Sequence, residues 1–264
     1  MKKYFVIGNP IDHSFSPKLQ NWWLKQNNID AIYDKIKLEE HEIKKFIQDI
    51  KLQKVAGCNV TVPFKKEVIS FLDKLSPEAE QTQSVNTIIF NDGILVGHNT
   101  DIAGFETAIK KLNFTIKGKK ILILGAGGVV PSIIFALNNM HVSEIAISNR
   151  TKEKAENLKI LFNKLKVLEW GTLPDFDVVI NATSLGLNNE IINLDFSNSG
   201  KNKLFYDVIY NPIETNFLKK GKELGNITEN GKTMFIYQAY EAFKLWHKIE
   251  PKINRDIFKL LDND

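Results

Sequence analysis

Residues 119–151 read KKILILGAGGVVPSIIFALNNMHVSEIAISNRT, and no other stretch restricts the fold of this chain as much. Residues 121–124 are a continuous apolar run, the pattern of a strand buried on both faces. Gly125-Ala126-Gly127-Gly128 follows directly, then an apolar, helix-compatible segment over 129–139 and a second short strand over 144–148. Strand, glycine turn, helix and strand make a βαβ unit, and the first turn carries the opening of a dinucleotide-binding fingerprint. Gly125 permits the sharp turn, and Gly127 lets backbone N–H groups approach a pyrophosphate. The helix N-terminus adds partial positive charge and donors. Two positions depart from the fingerprint. Val130 stands in the place of the third Gly or Ala, and Pro131 is tolerated only in the first helical turn.

The tip of the second strand says which dinucleotide is expected. A ribose with a free 2′-hydroxyl calls for Asp or Glu there, about twenty residues after the glycines. Here the place reads Ser148-Asn149-Arg150-Thr151, with Lys152 and Lys154 close behind and no carboxylate at the tip. A guanidinium forks onto a phosphate and can lie flat on adenine. Arg150 is therefore the expected 2′-phosphate ligand, with Asn149 and Thr151 as neutral donors, and the expected cofactor is NADP(H).

Around this unit the rest of the 264 residues falls into a recognisable order. Strands are expected over 3–8, 31–38 and 55–62, with an amphipathic helix over 39–50 whose Ile43, Phe46, Ile47 and Ile50 share one face. Ser16 reads as a helix N-cap with Pro17 at the first helical position, and Lys65 as the start of a further helix. Residues 85–90 and 94–96 make a hairpin over Asn91-Asp92-Gly93. After Arg150 come a helix over 152–163, short strands near 167, over 177–181 and over 204–208, and late helices over 232–248 and 251–262. The fold class is α/β: an N-terminal α/β substrate domain, then a Rossmann-type, doubly wound parallel sheet that binds the nucleotide. Residues 1–102 form the substrate-binding and catalytic domain and 103–237 the NADP-binding domain. Residues 238–264 pack back on the first domain, because the late helices have no strand left to cover. Ligands of such sheets lie at the carboxyl ends of the strands, where Thr183 and Ile209-Tyr210 are expected.

The formal net charge is +4, with lysines dispersed among glutamates rather than gathered in a block, which argues against nucleic acid as a partner. Cys58 is the single cysteine, so no intrachain disulfide can form and a reducing, cytoplasmic setting is expected. No apolar run is long enough to cross a membrane, no metal site is expected, and a monomer or a homodimer suits the mixed charge.

In the first hundred residues, polar groups interrupt the apolar pattern at strand ends and loops. They are Ser14, Ser16, Asn59, Thr61, Lys65, Asn86, Thr87 and Asn99-Thr100-Asp101, with Gln238 inside the late helix. Neutral hydroxyls and amides in that number suit a polyhydroxylated ligand. Lys65 and Asp101 are the one charged pair among them, and a lysine held against a carboxylate can pass a proton to or from an alcohol or ketone.

The motifs SFSP, NVTVPFK, VNT, GHNTD, GAGG, NRT, NATS and DVIYNP, and the helix with QAYEAFKLW, stand in an order that resembles the shikimate dehydrogenase family over nearly the whole chain. The resemblance implies a two-domain enzyme that reduces 3-dehydroshikimate reversibly to shikimate with NADPH, within aromatic amino-acid biosynthesis. It implies that Ser14 and Ser16 bind the substrate carboxylate. Asn59, Thr61, Asn86, Asp101 and Gln238 would hold the ring hydroxyls, and Tyr210 would lie near the substrate. Lys65 would be the acid/base paired with Asp101. The cofactor set it implies is Gly125, Ala126, Gly127, Gly128, Asn149, Arg150, Thr151, Lys154, Thr183 and Ile209. The chain has Lys154 where a second arginine is frequent in the family and Lys232 in a loop where glycine is preferred, and it lacks the acidic residue that follows the second strand in quinate/shikimate enzymes. A dehydrogenase that also takes quinate, and a non-catalytic NADP sensor, are the alternatives.

Overall fold

A computed structural model describes residues 1–262; of the expected C-terminal segment, 263 and 264 lie outside the described residues. The chain divides into two compact units, one of Met1–Ile102 with the chain from Ile236 onward, the other Ala103–Phe235.

The first unit is built on a mixed six-stranded sheet. Its elements are β1 (Lys2–Gly8), α1 (Ser16–Gln26), β2 (Ala31–Lys37), α2 (Ile43–Lys51), β3 (Gly57–Val60), β4 (Lys74–Leu75), α3 (Pro77–Thr82), β5 (Thr87–Asn91) and β6 (Ile94–His98). The strand order is β2-β1-β3-β5-β6-β4. β2, β1 and β3 run parallel, whereas β5 is antiparallel to both β3 and β6. The period-two alternation of the strands sorts the two faces. Ile7, Cys58, Val60 and Ile88 belong to a core closed by Ile43, Phe46, Ile47 and Ile50 of α2, the face read from the sequence. On β3 the neighbour of Cys58 is Asn59, which the alternation turns to the opposite face. The expected hairpin is present, with Asn91 paired to Ile94 and positive φ at Asp92 (51°) and Gly93 (82°), the signature of a type I′ turn.

Helix α4 (Asp101–Lys111) opens the passage to the second unit, and α8 (Lys232–His247) carries the chain back. The returning part of α8 is fixed within the first unit by polar and aromatic contacts. Gln20 Nε2 donates to Ala239 O (3.0 Å), Trp246 Nε1 donates to Ile88 O (3.1 Å), and Trp23 meets Phe243 edge-on at 5.8 Å. The last helix, α9 (Arg255–Leu260), starts later than expected because Asn254 caps it, its Oδ1 accepting from the N–H of Asp256 and Ile257.

The second unit is an all-parallel sheet of β7 (Lys120–Leu124), β8 (Glu144–Ser148), β9 (Lys166–Leu168), β10 (Val178–Asn181), β11 (Leu204–Asp207) and β12 (Ile227–Glu229). Its helices include α5 (Val130–Asn139), α6 (Lys152–Leu158) and α7 (Asn216–Glu223). The order β9-β8-β7-β10-β11-β12 reverses direction between β7 and β10, the switch point of a doubly wound sheet. Phe176, Phe196, Phe205 and Phe217 build an aromatic cluster in its core, with Val179 in the same hydrophobic cluster.

Three local expectations are corrected by the structure. Ser16 is not an N-cap: Phe15 holds that position without a side-chain cap bond, Ser16 is the first residue of α1, and its N–H goes to Ser14 Oγ (3.3 Å). Lys65 does not start a helix. Its carbonyl accepts from Val85 N (2.8 Å), which takes it out of any i+4 ladder, and only a 3₁₀ segment follows at Glu67–Phe71. Helix α6 stops at Leu158 rather than at 163, since of its residues only Ala155 is buried and the chain must turn back into β9.

Candidate active site

The Asn-rich segments of the first unit converge on one buried charged pair. Lys65 Nζ lies 2.5 Å from Asp101 Oδ2, with the two side chains only 10% and 8% exposed. Lys65 is in the turn after β3, and Asp101 is the first residue of α4, where the helix N-terminus favours a negative charge. Asn99 Oδ1 accepts the Asp101 N–H (3.1 Å) and sets the start of that helix. A buried pair of this kind is stable only when its remaining lone pairs are met. Here Asn86 Nδ2 donates to Asp101 Oδ1 (2.9 Å).

Asn86 is itself held from several sides. Its Oδ1 accepts from Thr100 N (2.8 Å), Thr100 Oγ1 (3.1 Å) and Thr87 Oγ1 (3.1 Å), and its N–H goes to His98 O (3.0 Å). Asn59 Nδ2 donates to Asn86 O (3.0 Å) and to Thr87 Oγ1 (2.9 Å). Asn59 Oδ1 accepts from the phenolic O–H of Tyr33 at 2.6 Å. Burial holds the Tyr33 phenol well above its ordinary pKa. Asn59, Lys65, Asn86 and Asp101 are thus joined by hydrogen bonds in one unit, while Ser14 and Ser16 are joined to each other, Ser16 N donating to Ser14 Oγ (3.3 Å). Thr61 lies two residues beyond Asn59 and donates its N–H to Ile7 O (2.9 Å). Gln238 lies on α8, half-buried. Tyr33 is the member that sequence reading missed, because a lone tyrosine in AIYDKIK carries no motif and, as the only buried residue of β2, stands in no alternating pattern that would single it out.

In the second unit the expected cofactor residues gather at the carboxyl ends of the strands. Gly125 leaves β7 with φ +105°, and a Cβ there would sit 2.8 Å from the backbone of Ala182 at the end of β10, so only glycine fits this switch point. A Cβ on Gly127 would meet nothing nearer than 3.8 Å, which leaves its backbone open to a ligand. Ala126 is half-buried, Gly127 and Gly128 are exposed, and α5 begins with Val130 buried and Pro131 in its first turn. Gly125 N donates to Ser148 O (2.8 Å), so the glycine loop and the tip of β8 adjoin. Beyond that tip, Asn149 Nδ2 donates to Thr151 O (2.6 Å), while Arg150, Thr151 and Lys154 are exposed. Lys152 is paired with Glu169. Thr183 follows β10, its hydroxyl bound to Asn181 Oδ1 (2.7 Å). Ile209 is buried after β11, and Tyr210 stacks on Phe235 with ring centroids 4.4 Å apart. The donor set fits a phosphorylated dinucleotide: an open glycine cradle at the switch point and an exposed guanidinium at the neighbouring strand tip.

Asp207, at the end of β11, opens the DVIYNP motif, which by itself assigned the residue no role. Burial pushes its carboxyl up to about 6. Asn181 Nδ2 (3.1 Å) and Ile209 N (3.0 Å) donate to Oδ1, and Thr215 Oγ1 donates to Oδ2 (2.6 Å). It therefore ties the loop bearing Ile209 and Tyr210 to the end of β10 and to the N-cap of α7.

Known proteins share both units. Residues 6–88 match the profile of the shikimate dehydrogenase substrate binding domain, and residues 106–212 that of shikimate / quinate 5-dehydrogenase. A curated shikimate dehydrogenase (NADP(+)) of Pelagibacter ubique is 54% identical over 264 residues, covering 99% of this chain and 100% of that one. The crystal structure of shikimate dehydrogenase from Aquifex aeolicus is 36% identical, with a TM-score of 0.89 over 100% of this chain and 98% of that one. Shikimate 5-dehydrogenase from Thermus thermophilus, solved in complex with NADP(H) and shikimate, is 28% identical with a TM-score of 0.90, covering 99% of this chain and 98% of that one. With both profiles matched in order along the chain and a relative of this identity aligned from end to end, the chain belongs to the shikimate dehydrogenase family.

Proposed function

We propose that this chain reduces 3-dehydroshikimate to shikimate, reversibly and with NADPH, and that Lys65 carries the proton of the reaction. The observation that carries the reading is the buried Lys65–Asp101 pair at 2.5 Å, the one charged pair within the polar network of the first unit. NADPH supplies the hydride when bound. The chain's own part is to orient the substrate and to handle the proton. Lys65 gives a proton to the carbonyl oxygen as that oxygen gains charge, and takes it back in the reverse direction. Asp101 holds the ammonium in place and accepts from a ring hydroxyl. Ser14 and Ser16 bind the substrate carboxylate through neutral donors, which avoids burying a further charge. Thr61, Asn86 and Gln238 meet the ring hydroxyls; the Asn86 hydrogen on Thr100 Oγ1 (3.0 Å) is the exchangeable one, because that hydroxyl also reaches Asn86 Oδ1 as a donor. Asn59 supports them from behind, since both its amide hydrogens already go to Asn86 O and Thr87 Oγ1. Tyr210 lies near the substrate.

For the cofactor, Gly125, Ala126, Gly127 and Gly128 cradle the pyrophosphate, while Arg150 grips the 2′-phosphate with Asn149, Thr151 and Lys154 beside it. Thr183 and Ile209 border the remainder of the dinucleotide. In domain terms, residues 1–102 with 238–264 serve the substrate and 103–237 the cofactor. No described helix is long and apolar enough to cross a membrane. The single, fully buried cysteine suits a reducing compartment, and we place the protein in the cytoplasm as a monomer or homodimer.

Turnover of Lys65→Met with shikimate and NADP tests the central assignment. The variant keeps the stem and removes the ammonium, so kcat should fall about 10²–10⁴-fold while KM for shikimate changes far less. A sharply raised KM with kcat near that of the unmodified enzyme would make Lys65 a binding charge and end the acid–base reading. Asp101→Asn should lower kcat and raise KM together, since Asp101 serves both the lysine and a hydroxyl.

A further inference from the structure

We propose that Tyr33, Asn59 and Thr87 are positioning residues that act on Asp101 through a one-directional chain of hydrogen bonds. The inference rests on the role given to Lys65 and Asp101 above. The links are Tyr33 Oη to Asn59 Oδ1 (2.6 Å), Asn59 Nδ2 to Thr87 Oγ1 (2.9 Å), Thr87 Oγ1 to Asn86 Oδ1 (3.1 Å) and Asn86 Nδ2 to Asp101 Oδ1 (2.9 Å). Lys65 Nζ closes the chain on Asp101 Oδ2.

Donor and acceptor chemistry fixes the direction at each link. Asn86 O is an acceptor only, so the group of Asn59 that faces it must be the amide nitrogen. Asn59 Oδ1 then faces Tyr33, and the phenol has to donate. Thr87 Oγ1 receives a hydrogen from Asn59 and keeps its own to donate; Asn86 Oδ1 at 3.1 Å is the nearer acceptor, and Thr100 Oγ1, at 3.4 Å, is the other hydroxyl within reach. The N–H of Thr100 faces the same Asn86 oxygen and orients that amide the same way, which aims its nitrogen at the carboxylate. The donors therefore all point towards Asp101, and the last of them meets an ionised group. Aligned hydrogen bonds in a buried site polarise one another, so removing one link weakens the next.

The outer end is as firmly built as the inner one. Both backbone groups of Tyr33 are held by Asn21, which donates Nδ2 to Tyr33 O (2.7 Å) and accepts Tyr33 N at Oδ1 (2.9 Å). The ring packs against Trp246 at 6.0 Å, and Tyr33 is 2% exposed. Asn59, Thr87 and Asn86 are buried as well. A phenol anchored this way, three strands away from β5, has no evident use in apolar packing alone, because phenylalanine would fill the same space without needing a partner for its oxygen.

Thr87→Val is nearly isosteric and removes the central hydroxyl; Tyr33→Phe removes the outer one. With shikimate varied at saturating NADP, Thr87→Val should lower kcat about tenfold and Tyr33→Phe about threefold; with NADP varied at saturating shikimate, KM for NADP should be unchanged. Thr87→Ser restores the hydroxyl and should keep kcat within about twofold of the unmodified enzyme. In an Asp101→Asn background the same substitutions should change kcat by less than about twofold, because the group on which they act is gone. Losses that persist in full in that background, or a Thr87→Ser enzyme as impaired as Thr87→Val, would overturn the inference and leave a purely structural role. Should Thr87→Val unfold, as read by thermal denaturation, the Tyr33→Phe cycle decides by the same criterion. Lys65→Met reports separately: a normal kcat there refutes the proton-transfer assignment, whereas additivity here refutes only the chain.

Discussion

At the scale of single residues, we propose that charge decides the cofactor. Arg150 is exposed at the tip of β8, where an acidic side chain would instead have met a free ribose hydroxyl. Arg150→Asp should weaken NADPH by about one to two decades, the worth of roughly 1.5–3 kcal/mol for a charged bidentate contact, and leave NADH much less affected. Titration of both cofactors against the variant checks this, and retained NADPH affinity would move the phosphate site elsewhere. Lys152, its neighbour, is already paired with Glu169 and is the poorer candidate for the phosphate. Lys65 shows how much a residue's surroundings matter. By composition it is one of many lysines, and only the approach of Asp101 separates it from the solvated ones.

At the scale of elements, strand ends carry the function and their hydrogen bonds govern response to pH. The loop after β11 hangs on Asp207, whose carboxyl stands at about 6 when folded and near 3.9 in an unfolded chain. The folded state thus binds this proton more tightly than the unfolded one. Its contribution to stability is full below about pH 4 and is lost as pH rises through about 6. Asp207→Asn removes that linkage. The stability of the unmodified protein relative to the variant should therefore be greater at pH 4 than at pH 7, as read from urea unfolding at both values. A difference that stays constant, or runs the other way, would show that Asp207 does not titrate as its burial requires. The short helices teach a related lesson. Ser16 and Lys65 are both drawn from their expected places by partners distant in sequence or by a neighbouring hydroxyl, Val85 in one case and Ser14 in the other.

At the scale of the whole molecule, each unit has its own core. Cys58 lies at 0% exposure in the first, and burial raises its thiol pKa, so an exogenous thiol reagent should label it only as that unit opens. Labelling rate against denaturant should follow the unfolding of the first unit; rapid labelling in native buffer would contradict the packing of β3. Much of this architecture was legible in the residues themselves. The 121–151 βαβ unit, the apolar face of α2 and the Asp92-Gly93 turn are local or periodic features, and local sterics, periodicity and glycine chemistry suffice to write them. The short strands β4 and β12 escaped, because two or three residues carry no period. The members of the polar network were mostly legible as a set of interruptions in an apolar pattern, and the family resemblance named their roles. What the sequence by itself determined is therefore the element order, the nucleotide turn and the inventory of polar groups. The Lys65–Asp101 pairing across 36 positions was implied by the resemblance, but the tertiary structure alone decided the contacts behind it: that Asn59 meets Tyr33 across 26 positions, and that Asp207 is buried enough to raise its carboxyl to about 6. Pattern reading follows neighbours along the chain. Hydrogen-bond direction and desolvation are set by neighbours in space, and these exist only once the sheet has closed around them.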